Sequence, residues 1–134
     1  DRMGVVYYAN YLRYFEQGRT ELLRSLGARY RDIELQRKLY LPVTAAACRY
    51  EMPGRYDDLL LVRTWVCALG KASMTFAYEV RDAQDSGRRL VVGSTRHALV
   101  NELFKPARLP GDLRAALSPF LGPEPAGSRA DNKS

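Results

Sequence analysis

The stretch Asp1-Arg2-Met3-Gly4-Val5-Val6-Tyr7-Tyr8-Ala9-Asn10-Tyr11, continuing as Leu12-Arg13-Tyr14-Phe15-Glu16-Gln17-Gly18-Arg19-Thr20-Glu21, sets a carboxylate and a glycine turn just ahead of an amphipathic segment. From Asn10 to about Leu26, Tyr11, Phe15, Gly18, Leu22 and Leu26 recur at helical spacing and Leu12 and Leu23 widen the stripe, while Arg13, Gln17, Glu21 and Arg24 fall elsewhere on the wheel. So broad a stripe predicts a helix wrapped by a sheet. Gly18 costs about 1 kcal/mol against Ala inside a helix, so its place in the stripe predicts close approach by a strand or a ring. Gly27 supplies the stop. The start of such a helix carries amides with no intrahelical acceptor and a partial positive charge, which together stabilise an oxyanion formed beside them. A carboxylate a few residues upstream can act there as base or nucleophile.

After a polar segment around Arg29 to Lys38, helical or looped, four strand-like runs follow: Pro42 to Glu51, Leu59 to Leu69, Ala72 to Arg81 and Arg89 to Val100. In the third, Met74, Phe76, Tyr78 and Val80 alternate with Thr75, Ala77, Glu79 and Arg81, which predicts one buried and one wetter face. The separators Leu69-Gly70-Lys71 and Asp82 to Arg88 are too short for a crossover helix, so the strands should pair antiparallel as a meander. One long helix and an antiparallel sheet define the α+β class. Beyond Pro110 the composition shifts: Asp112 to Leu121 reads as a short helix, and Gly122 to Ser134, rich in Gly, Pro, Ser and charge, as disordered.

A chain of 134 residues, 46% hydrophobic, is the size of one domain and can bury a core without metal or disulfide staples. Cys48 and Cys67 lack CxxC spacing and a His cluster, and read as small buried residues of a reducing compartment. No apolar run reaches membrane-spanning length and no signal-peptide pattern is visible, so the expected location is the cytoplasm. The net charge of +6 suits nucleic acid and a phosphorylated carrier equally.

With its Asp, two variable residues, Gly-Val-Val-Tyr, Asn-Tyr-Leu and a Glu-x-x-Arg pair, the opening stretch resembles the 4-hydroxybenzoyl-CoA thioesterase family, in particular its YbgC-like branch. Pro53 to Leu60 is similar to the turn these proteins carry between their second and third strands, and Lys105 to Pro110 to their exit from the last strand. The resemblance covers Asp1 to about Pro110. It implies a hotdog fold, an antiparallel β-sheet wrapped around one long central α-helix, over residues 1–110, with 111–134 as a C-terminal extension. Family members carry a strand before this Asp, so a first strand is expected upstream of residue 1. Tyr8 departs from the pattern, because the YbgC-like branch often has a histidine there.

The resemblance implies an acyl-CoA thioesterase, needing no metal or organic cofactor, that acts on a small or medium acyl group. Asp1 matches the family's catalytic Asp, as nucleophile or as base for water; by itself, an Asp ahead of a helix also reads as a turn cap. Tyr8 matches the position whose backbone N–H bonds the thioester oxygen. Gly4 and Val6 belong to the binding turn, and Tyr7, Tyr11 and Phe76 are expected to border the acyl pocket. Ser73 matches a serine that lines the site from a partner subunit. Lys71, Arg88 and Arg89 sit in turns where they could meet coenzyme A phosphates. Glu16 is a secondary candidate carboxylate, expected to pair with Arg19 three residues on. His97 reads as a packed residue. The implied assembly is a homodimer or homotetramer. Two alternatives are an acyl-carrier-protein thioesterase and a non-catalytic module binding an acyl group or RNA. No RNA-recognition signature is present, which argues against nucleic acid as a partner.

Overall fold

A computed structural model describes residues 8–52, 59–85 and 87–125. Helix α1 (Tyr8–Ser25) leads into α2 (Ala28–Leu35), then strands β1 (Val43–Tyr50), β2 (Leu60–Leu69), β3 (Ser73–Asp82) and β4 (Arg89–Ala98), a short α3 (Gly111–Leu117) and a single 3-10 turn at Ser118–Phe120. Every strand lies within two residues of its expected bounds. The four strands pair antiparallel with one another, in the order β1-β4-β3-β2. The meander is therefore confined to β2, β3 and β4. β1 joins at the β4 edge, opposite β2. Residues 53–58 of the expected connecting turn, and the expected disorder of residues 126–134, lie outside the described residues.

The helix stripe read from the sequence meets one face of the sheet. Phe15 stacks on Tyr78 with ring centroids 4.4 Å apart and planes 8° from parallel. Its ring also fills the space over Gly93, where a Cβ would stand 2.6 Å from Phe15 Cζ. Gly18 lies over Thr64 and Val62 of β2, and a Cβ there would overlap the Thr64 hydroxyl oxygen. The missing side chain is what lets the helix sit this low. Phe15, Tyr11, Leu22, Leu23, Phe76, Tyr78 and Val80 are buried in one cluster, and each large apolar side chain so buried contributes about 1.5–3 kcal/mol. At Gly27 the backbone turns through φ 63°, and its N–H bonds Arg24 O at 2.9 Å, ending α1.

The outer face of the sheet is less wet than the alternation predicts. Ala77 and Glu79 are buried. Glu79 is closed in by Arg63, Arg81 and Arg89, with N···O distances of 3.3, 3.1 and 3.2 Å. The C-terminal segment covers β2 beside them. There Gly122 N–H donates to Val66 O at 2.9 Å, and Trp65 Nε1–H donates to Pro123 O at 2.7 Å. Gly122 to Pro125, expected to be disordered, are thus laid along β2. Their composition is that of a loop, and the partners that fix them are backbone groups and one indole.

Candidate active site

Asp1, Gly4, Val6 and Tyr7 lie outside the described residues. Tyr8 is the first residue of α1, so its N–H belongs to the helix's first turn, where geometry supplies no intrahelical acceptor. Tyr11, one turn on, is buried, and its ring meets Tyr14 edge-on at 5.9 Å and Tyr50 at 5.4 Å. The start of α1 therefore stands beside Tyr50, the last residue of β1. Tyr14 and Tyr50 were not legible as neighbours of this helix end. Tyr14 follows Tyr11 at a helical i,i+3 spacing, but Tyr50 arrives only through strand register.

The remaining expected site residues are spread across the sheet. Phe76 is fully buried, 5.3 Å edge-on to His97, so it packs the core and does not border an open pocket. Ser73 pairs with Ala98, whereas Tyr50 pairs with Val91 seven residues back along β4, roughly 23 Å away at about 3.3 Å per residue. Ser73 and the adjoining Lys71 turn thus occupy the end of the chain's sheet opposite the helix start. Ser73 opens onto an outer-face trough of about 730 Å³, lined also by Thr75, Ser94, Arg96 and Glu124. Lys71 is exposed and makes no ion pair among the described residues.

Arg88 and Arg89 are not the free cations expected. Arg88 donates to Asp82 at 2.9 Å, and Arg89 is shared between Glu79 and a two-pronged contact with Glu51. Burial alone would raise the Glu79 carboxyl, but hydrogen bonds from Arg81 and Arg89 outweigh it and hold it below the usual range. The Glu16–Arg19 pair is also absent. Arg19 Nη1 donates instead to Tyr78 Oη at 3.0 Å, and Glu16 is exposed.

That contact starts a buried relay. Tyr78 Oη lies 2.6 Å from Thr95 Oγ1, Thr95 Oγ1 lies 2.8 Å from His97 Nε2, and His97 Nδ1 lies 2.9 Å from Leu41 O. Leu41 O can only accept, so Nδ1 carries the proton and Nε2 of a neutral ring accepts from Thr95, which accepts from Tyr78. Burial and the Arg19 charge hold the His97 imidazole below its ordinary pKa, against a smaller upward pull from the Leu41 hydrogen bond. His97 is a packed residue, as its isolation in the sequence implies.

Cys48 and Cys67 are free and half-buried, and burial pushes both thiols up to about 11, away from a reactive thiolate. Among the described residues no group of three or more His, Cys, Asp or Glu side chains could hold a metal ion, and no helix is long and apolar enough to cross a membrane.

The thioesterase superfamily model matches residues 3–87. The putative acyl-CoA thioesterase YneP of Bacillus subtilis is 33% identical over 107 residues, covering 79% of this chain and 75% of that protein. The acyl-CoA thioesterase YbgC of Haemophilus influenzae is 38% identical over 76 residues, covering 57% of this chain and 56% of that protein. A solved hypothetical protein of Thermus thermophilus superposes with a TM-score of 0.75 at 32% identity, covering 90% of this chain and 89% of that one.

Proposed function

The chain belongs to the thioesterase superfamily, and from that premise we propose that it is an acyl-CoA thioesterase in which the Tyr8 N–H holds the thioester oxygen and Asp1 delivers the nucleophile. The observation that carries this reading is the family match over residues 3–87, which begins ahead of α1 and runs through β3. As water or the carboxylate adds to the carbonyl carbon, charge builds on the oxygen, and a first-turn amide without an intrahelical acceptor has a hydrogen bond to give it. One such donor is worth about 10²- to 10³-fold in rate. Collapse of the adduct breaks the C–S bond and releases the carrier thiol. Asp1 either takes a proton from the attacking water, a proton that ends on the departing thiolate, or forms a mixed anhydride that a water molecule then hydrolyses, freeing the acid and restoring the carboxylate.

The carrier's phosphates are drawn by the net charge of +6. With Arg88 and Arg89 committed to carboxylates, Lys71 is the turn cation left to meet them. Because Lys71 and Ser73 lie at the far end of the sheet from Tyr8, their proposed role is in the site of a second copy, within a cytoplasmic homodimer or homotetramer. The test is a hydrolysis screen of short, medium and branched acyl-CoA esters, with the same acyl groups on acyl carrier protein, using protein that includes any residues upstream of Asp1. Higher kcat/KM on the CoA esters is expected. A higher value on the carrier protein reassigns the carrier, and no turnover of either set overturns the reading.

A further inference from the structure

Beyond β4 the chain folds back on itself, with Val100 bridged to Tyr40 on one side and to Pro106 on the other. The tip of this ribbon, Asn101-Glu102-Leu103-Phe104-Lys105, carries the two most exposed large apolar side chains among the described residues, Leu103 at 75% and Phe104 at 70%. The turn beneath them is fully hydrogen-bonded. Asn101 Oδ1 accepts from Leu103 N–H at 2.9 Å and Lys105 N–H at 3.1 Å, Asn101 O accepts from Phe104 N–H at 2.9 Å, and Asn101 N–H donates to Lys105 O at 2.9 Å. Phe104 holds φ at 62°, a left-handed conformation that crowds a Cβ and that glycine adopts freely. The chain therefore keeps a phenyl ring in water at a position whose backbone favours glycine. Around it the flanks are cationic. Glu102, the only carboxylate in residues 100–108, is paired with Lys38 at 3.4 Å, while Lys105 and Arg108 are exposed and make no ion pair among the described residues.

An occupant of this surface has to take up two apolar side chains from a protruding turn and set anions beside them. A second copy of the chain fits poorly, because the cavities between α1 and α2, on the outer sheet face and beneath the C-terminal segment are each lined by charged side chains, Arg24, Arg96 and Arg63 among them. A bilayer supplies both needs. It yields to an apolar protrusion, and anionic headgroups gather negative charge at the depth where Lys105 and Arg108 would stand. Little freedom is lost on insertion, since the turn is already ordered. We propose that this tip is a membrane-docking surface, with Leu103 and Phe104 entering the interface of an anionic lipid bilayer and Lys105 and Arg108 at its headgroups. The inference goes beyond the thioesterase reading and does not depend on it.

The test is flotation of the full chain with vesicles of equal parts phosphatidylcholine and phosphatidylglycerol, and with vesicles of phosphatidylcholine alone. The chain is expected to float with the mixed vesicles and to bind phosphatidylcholine alone about tenfold more weakly. Leu103→Ser/Phe104→Gly is expected to weaken binding to the mixed vesicles about tenfold at an unchanged Tm, because neither side chain enters the turn's hydrogen bonds and glycine suits the φ at 104. Lys105→Gln/Arg108→Gln, which leaves the apolar tip in place, is expected to erase most of the preference for the mixed vesicles. No flotation of the wild-type chain, unchanged binding by the first variant or an unchanged preference in the second overturns the proposal. A lower molar mass of the Leu103→Ser/Phe104→Gly chain in light scattering also overturns it, by making the tip a contact between copies.

Discussion

Gly18 and Thr64 show how one missing side chain sets the seat of the central helix. A Cβ at Gly18 would collide with the Thr64 hydroxyl, and that hydroxyl, buried at the contact, has no hydrogen-bond partner among the described residues. Gly18→Ala trades better helix propensity for overpacking, and the collision wins: it is expected to lower stability by about 1–3 kcal/mol in urea denaturation. Thr64→Val keeps the shape and removes the unsatisfied oxygen, so it is expected to raise stability by about 1 kcal/mol in the same measurement. A neutral Gly18→Ala would mean that the helix does not rest on β2 at this point. Gly18 itself could be read from the sequence, since a glycine in an apolar stripe signals close approach. Thr64 could not, because which strand residue lies beneath it depends on register. Tyr50 was hidden for the same reason.

At the scale of elements, periodicity made α1 and the four strands legible to within two residues, whereas the order of the sheet and the course of the last segment were not. Alternation says which residues of a strand face the core and nothing about which strand lies beside it. A Gly- and Pro-rich tail reads as disorder unless its backbone partners are known. Gly122 is seated directly on Trp65, where a Cβ would stand 2.7 Å from Cδ1. Trp65 is the sole tryptophan. Gly122→Val is therefore expected to lift the segment, shift the Trp65 emission to longer wavelength and cost about 1–3 kcal/mol through two lost hydrogen bonds and their packing; unaltered emission would contradict the seating. The relay joining α1, β3, β4 and Leu41 makes stability depend on pH. His97 stays neutral in the fold below its ordinary pKa near 6.5, so the unfolded chain binds more protons and stability falls as pH drops from about 6.5 toward the lowered folded value. His97→Gln is expected to flatten the stability curve between pH 7 and 5.5, where one proton accounts for at most about 1.4 kcal/mol per pH unit. An identical slope in the variant would assign the dependence to other groups.

At the scale of the whole molecule, a helix start and a strand-end serine lie at opposite ends of one sheet, and arginine–carboxylate pairs close part of its outer face around Glu79. The thioesterase family was legible in the sequence from the spacing of a few residues around the first helix, and the family match and the fold agree with that reading. The chemistry of the site was less legible. Phe76, Arg88 and Arg89 have residue types suited to a pocket or a phosphate, yet their partners in the fold, His97, Asp82, Glu51 and Glu79, commit them to structure. Such partners are distant in sequence, so residue type alone overstates how many groups remain for substrate. The central proposal is that the Asp1 carboxylate and the first-turn amides of α1 act on one carbonyl. The most direct measurement is acyl-CoA hydrolysis by Asp1→Asn, alongside its far-UV circular dichroism and Tm. Unchanged folding with kcat lowered about 10²- to 10⁴-fold is expected, and wild-type turnover in the folded variant would contradict it.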